Sequence, residues 1–200
     1  MFFIRKIKEI SGNYLLNREL KKFSRSKKIL NYREIKIIGI LYTLDNENTY
    51  NIVSDFVEKM KNDNKKLKAL GFIKNKKISE KFLPKLSFDF FSENDLNWYK
   101  KPDNKYVKDF INKEFDLLIN TDFENIFPLK YITAKSKASL KTGLFNDRNS
   151  KYFDLMMKID KNNNLDEFFT QVIHYLSIIN KKGGKGNKKG TKPSTSEISL

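Results

Sequence analysis

The chain has 200 residues, no cysteine and a formal net charge of +16. That length suits one domain with short extensions, and the missing thiols exclude disulfides, thiolate metal sites and cysteine nucleophiles, as expected of the reducing cytoplasm. The longest apolar run, IIGILY at 37–42, is far below the roughly 18 residues of a spanning helix, and MFFIRKIKEISGN lacks the continuous apolar stretch of a signal peptide, so a cytoplasmic location is expected.

The charge is unevenly spread. Residues 1–28 hold nine Lys/Arg against two Glu (+7), and residues 181–200 hold six Lys against one Glu (+5). Residues 29–180 hold 25 against 21, only +4. The chain therefore divides into a basic amphipathic N-terminal helical segment (1–28), an α/β domain (29–180) and a basic tail (181–200). Lys outnumbers Arg 35 to 5, and bidentate base recognition favours Arg, so no sequence-specific DNA motif is read here.

In chain order, FFIRKIKEISGNYLLNRELKKF sets Phe3, Ile7, Ile10 and Tyr14 at helical spacing, with Gly12 and Asn13 weakening or breaking the helix midway. Docking of this apolar stripe on the domain is the preferred reading. IIGILYT at 37–43 is β-rich and apolar on both faces, and a helix follows over about 49–61. KLKALGFI (66–73) and LSFDFF (86–91) are the second and third strands. A polar loop over 92–104 carries Trp98 and Tyr99 beside Lys100 and Lys101. These four could stack a base and hold a phosphate, but Trp98 is read first as a plug against the core. KYVKDFINKE is a short helix and FDLLIN (115–120) the fourth strand. Another helix has Pro128 near its first turn, where the missing N–H does little harm. Leu140–Phe145 and FDLMMKI (153–159) complete the strands, and LDEFFTQVIHYLSII (165–179) closes the domain. The tail, rich in Gly and Lys, is expected to be disordered.

Strands apolar on both faces and alternating with helices predict a mainly parallel, doubly wound sheet of five or six strands, Rossmann-like in class. Such folds bind ligands beyond the carboxyl ends of their strands. The polar residues predicted there are Asp45 and Asn46, Lys74 and Asn75, Ser92 and Glu93, Asn120, Thr121 and Asp122, and Asp160. Asp45, Asn46, Asn120, Thr121 and Asp122 are the candidate ligand-binding set. The same residue types cap helices and form Asx turns, and capping is the preferred reading. No glycine-rich phosphate loop follows the first strand, and GGKGNKKGTK in the tail follows a helix, not a strand. His174 is the single histidine. With no Cys and no second His, zinc sites and most pairings of a nucleophile with a base cannot be assembled; the strand-end carboxylates and amides could offer oxygen ligands to a metal, but no metal or cofactor is assigned.

IIGILYTLDNENT, NWYKKP, FDLLINTD, PLKYITAKSKASLKTGLF and FDLMMKI together resemble an uncharacterised family of small single-domain α/β proteins of Bacteroidota-type bacteria, over about residues 1–180. That resemblance implies no activity. Locally, DLLIN, a helix and SKASLKTG are similar to the N-terminal half of heptosyltransferase-like GT-B glycosyltransferases, which implies a Rossmann-like topology more than transferase chemistry.

The leading functional expectation is a nonenzymatic protein whose basic ends contact a polyanion, RNA or the ribosome ahead of membrane lipid. The candidate contacts are Arg5, Lys6, Lys8, Lys21, Lys22, Lys27 and Lys28, with Lys181, Lys182, Lys185, Lys188 and Lys189 in the tail. Lys135, Lys137 and Lys141 are candidates to extend the basic surface. The alternatives are a small-molecule or sugar-binding, transferase-like site at the strand ends, and a protein or membrane surface bound through the N-terminal helix.

Overall fold

A computed structural model describes residues 2–74, 86–159 and 165–179, without the side chains of residues 2–6, 148 and 149. The elements are α1 (Phe2–Leu20), β1 (Ile37–Thr43), α2 (Glu47–Asn62), β2 (Lys66–Ile73), β3 (Phe88–Ser92), α3 (Lys105–Asn112), β4 (Leu117–Asn120), α4 (Phe127–Lys135), β5 (Leu140–Leu144), β6 (Leu155–Met157) and α5 (Leu165–Ile178). The six strands form one sheet in the order β3-β2-β1-β4-β5-β6, and every pairing is parallel. The expected doubly wound α/β class is what the chain adopts.

Both faces of the sheet are covered, which parallel strands require. On one face Ile38, Ile40 and Tyr42 of β1 and Leu117 and Ile119 of β4 pack with Val53, Phe56 and Val57 of α2 and Phe168, Phe169 and Val172 of α5. On the other, Leu41, Leu70 and Leu118 pack with Val107 and Phe110 of α3 and Leu129 and Ile132 of α4. The alternation of strand side chains sorts neighbouring residues such as Ile40 and Leu41 into these two cores. The helix starts follow local rules. Asn46 accepts from Thr49 N to cap α2 and Asn104 from Val107 N to cap α3, while Pro128 occupies the first turn of α4.

α1 forms a third layer outside α4, through a small cluster of Leu16, Phe127, Tyr131 and Tyr152. It runs unbroken through Gly12 and Asn13, which corrects the expected interruption. The reason is packing: a Cβ on Gly12 would lie 2.7 Å from Phe127 Cζ and 2.8 Å from the Tyr99 carbonyl oxygen, so the glycine allows close approach to α4. The docked face is not the expected one either. Leu16 is 1% exposed, whereas Ile7, Ile10 and Tyr14 are 46%, 61% and 68% exposed.

After α1 the chain crosses the sheet's lower edge toward β1, held by Arg25. Its guanidinium donates to the Ala138 and Ser139 carbonyls at 3.0 and 2.9 Å and to both carboxylate oxygens of Asp154 at 2.6 Å. Asp154 also accepts from the Lys141 backbone N–H at 2.9 Å. Lys141 itself does not lie on a basic surface, because its side chain is buried at 2% exposure. Its Nζ donates to the Thr133 and Ala134 carbonyls at 2.6 and 3.3 Å, at the negative end of α4. Lys135 approaches Glu19, and Lys137 is exposed.

Trp98 does not plug the core; it is 61% exposed. Its loop is fixed without it. Leu96 and Pro102 form a bridge, the Asn97 side chain accepts from Tyr99 N and Lys101 N, and Lys100 takes a left-handed φ of 68°. Pro102 is the buried member. His174 is exposed, edge-on to Tyr175.

Candidate functional site at the strand ends

In this strand order the chain reverses its direction of winding between β1 and β4. From β1 it leaves toward α2 on one face, and from β4 toward α4 on the other, so the two carboxyl ends diverge and open a crevice. A space of about 390 Å³ lies there, lined by Thr43, Asp45, Asn48, Thr49, Ile52, Thr121, Asp122, Phe123, Glu124 and Leu165. Asp122 is shared with a second, smaller space of about 50 Å³ between the ends of β4 and β5, where Asn120, Lys130, Thr133 and Tyr152 are among the walls.

Asp45 and Glu124, on opposite lips of the crevice, are joined through Lys74 at the end of β2. Its ammonium is 3.1 Å from Asp45 Oδ1 and 2.5 Å from Glu124 Oε1. Burial opposes the Lys74 charge, but the Glu124 and Asp45 carboxylates hold its pKa above the usual lysine range. All three side chains are substantially solvated, so this bridge is an adjustable rim and contributes little to stability.

Asp122 is different. Its carboxylate accepts from Glu124 N at 3.0 Å and Ile126 N at 2.7 Å, closing the turn that leads into α4, whose own N-cap Ile126 offers no side-chain acceptor. Burial pushes the Asp122 carboxyl up to about 6, against the pull of the Ile126, Glu124 and Asn125 N–H groups. A half-buried acid with a raised pKa at a strand end is the kind of group that functional sites employ.

The remaining candidates divide by role. Asn120 is 4% exposed; its amide donates to Thr133 Oγ1 and its oxygen accepts from Asp122 N, each at 2.8 Å, so it orders the turn from below. Thr121 N donates to the Leu41 carbonyl at 2.9 Å, tying β4 to β1. Asn46 caps α2, and Ser92 caps the short turn after β3. Asp45, Thr121 and Asp122 thus meet at the crevice, while Asn120 and Asn46 serve the fold beside it. Asn75 and Asp160 lie outside the described residues.

Sequence reasoning missed Thr43, Asn48, Thr49, Phe123 and Glu124. Asn48 and Thr49 had a usable signal, since the first turn of a helix beginning at a strand's carboxyl end must face the crevice. Thr43 Oγ1 is buried with no hydrogen-bond partner among the described residues, and its place as the last residue of β1 gave no hint of that. Among the described residues no group of three or more His, Cys, Asp or Glu is placed to hold a metal ion.

The basic candidates are scattered. Lys21, Lys22, Lys27 and Lys28 are exposed and Lys8 is half-buried; Lys27 Nζ approaches Asp154 at 3.5 Å. The side chains of Arg5 and Lys6, and all of Lys181, Lys182, Lys185, Lys188 and Lys189, lie outside the described residues. No helix among the described residues is long and apolar enough to cross a membrane.

No curated protein and no solved structure matches the chain. A family model does match, over residues 8–179, which span α1 from its second turn, the whole sheet and α5 and exclude the basic tail; the chain belongs to that family, a family of unknown function designated DUF6913.

Proposed function

We propose that the protein binds a small hydroxyl-rich ligand, of the sugar or nucleoside class, in the crevice between the ends of β1 and β4. The observation that carries this reading is the open space of about 390 Å³ at the point where the winding reverses, the position at which folds of this topology hold ligands. Its walls favour a donor-rich molecule. Asp45, Asp122 and Glu124 are acceptors, the Asn48 amide and the Thr49 and Thr121 hydroxyls can both donate and accept, and Phe123 and Ile52 offer apolar contact. Three carboxylates beside one ammonium disfavour a phosphate, and no glycine-rich turn lets phosphate approach the backbone.

The test is a panel of monosaccharides, amino sugars and nucleosides followed by two-dimensional NMR of the full chain. The expected result is saturable shifts confined to Thr43, Asp45, Asn48, Thr121 and Phe123, with affinity reduced about tenfold in Asp45→Ala and in Asn48→Ala, the loss of one or two hydrogen bonds. Both residues are exposed, so neither change threatens the fold. Shifts centred elsewhere, or none across the panel at millimolar concentration, would sink the reading.

A further inference from the structure

We infer that the outward face of α1 docks the protein on an anionic lipid surface, independently of what occupies the crevice. α1 has two apolar faces. Gly12, Leu16 and Leu20 turn toward α4 and its neighbours. Ile7, Ile10 and Tyr14, at i, i+3 and i+7, turn away from them and are 46%, 61% and 68% exposed. A stripe of large apolar side chains on a surface helix is normally the buried side, so its outward position requires an occupant.

Charge and shape select the occupant. The stripe is continued toward the carboxyl end of the helix by exposed Asn17, Arg18 and Lys21, and residues 1–28 carry nine cations against two Glu. Arg25 is turned inward onto Asp154, and so is Glu19, accepting from Lys101 at 2.8 Å and from the Tyr131 hydroxyl at 2.7 Å. The face offered to solvent is therefore apolar at one end and cationic at the other. The stripe runs about 10 Å along the helix from Ile7 to Tyr14 at the helical rise. A helix lying in the headgroup plane has these properties: apolar side chains directed into the acyl boundary, Tyr at headgroup level and Lys or Arg against lipid phosphates. Exposed Trp98 sits on the loop whose Tyr99 carbonyl abuts Gly12, an interfacial residue type next to the same helix.

The experiment is co-sedimentation of the full-length protein with phosphatidylglycerol–phosphatidylcholine vesicles and with pure phosphatidylcholine vesicles at low salt. Binding is expected to the anionic vesicles, about tenfold weaker to the neutral ones, and lowered about tenfold by Ile7→Gln with Ile10→Gln and by Arg18→Gln with Lys21→Gln. The first pair leaves every charge in place, so it separates the stripe from general basicity, and an unchanged melting temperature shows that the fold survives. Retention of anionic-vesicle binding in that variant overturns the inference, because the cations alone would then account for it. So does binding of an RNA oligonucleotide, but not vesicles, that is sensitive to the second pair and indifferent to the first. A dimer in sedimentation equilibrium that becomes monomeric with Ile7→Gln and Ile10→Gln would assign the stripe to a second copy of the chain instead.

Discussion

Two residues show how local chemistry and packing compete. Gly12 has an ordinary helical φ, so its role is space, not torsional freedom. Replacing an exposed mid-helix glycine by alanine ordinarily gains about 0.5–1 kcal/mol. Here the added methyl meets Phe127 and a backbone carbonyl at under 3 Å, and a carbonyl cannot swing aside. Gly12→Ala is therefore expected to destabilise by about 1–3 kcal/mol, read from urea unfolding; a gain would mean that α1 is not held against α4. Lys141 makes the second case. Burial, reinforced by nearby Arg25 and Lys27 and opposed by Asp154, pushes its pKa down to about 7. Between that value and the 10.5 of a free lysine, the unfolded chain holds a proton that the folded chain has released. The Lys141 contribution to stability thus rises with pH across this window and is constant below it. Lys141→Met removes the titrating group, so the stability of the wild type relative to this variant should climb from pH 7 to pH 10; a flat difference would show that Lys141 keeps an ordinary pKa.

At the scale of elements, Arg25 ties the segment after α1 to the residues that lead into β5 and β6. Arg25 serves two carbonyls and one carboxylate, and the Arg25 and Asp154 side chains are only 8% and 15% exposed. Removing one partner of such a pair strands the other, so Arg25→Ala should cost about 2–4 kcal/mol in denaturant unfolding. Arg25→Lys should recover only part of this, because a point charge cannot reach all of these acceptors. The elements also show what the sequence could reveal. β1 and β2 were readable to the residue because β-branched and apolar runs buried on both faces admit few other assignments. α1 was readable as a docked helix, but not by which face it docks. Its two apolar faces compete, and periodicity cannot say which meets α4; Gly12, read as a breaker, was the mark of the contact. Lys141 looked like surface charge because lysine usually is, yet it lies between Leu140 and Thr142 in a strand that packs helices on one face and the α4 terminus on the other. Strand position outweighed residue type there.

At the scale of the whole molecule, the strand order is a non-local property. Nothing in the pattern of strands and helices distinguishes β3-β2-β1-β4-β5-β6 from other doubly wound orders, and so Asp45 and Asp122, 77 positions apart, could be named as candidates without being shown to share a space. The reversal between β1 and β4 brings them together and leaves Asp122 half-buried. That partial burial has a testable cost. The Asp122 carboxyl, raised to about 6 from 3.8, binds its proton more tightly in the folded chain, so its favourable contribution is complete below pH 4 and is lost as pH rises through 6. Asp122→Asn removes the titrating group and keeps one of the two oxygens through which the carboxylate holds the Glu124 and Ile126 N–H groups. Losing one acceptor costs the variant a hydrogen bond at every pH, so the informative quantity is the change with pH: the stability of the wild type relative to the variant is expected to fall from pH 4 to pH 7, by on the order of 1 kcal/mol or more. The same substitution should weaken ligand binding in the crevice. Thermal unfolding of both proteins at pH 4, 5.5 and 7 decides it: a difference that does not change with pH would mean that Asp122 keeps an ordinary pKa, leaving turn formation as its full role.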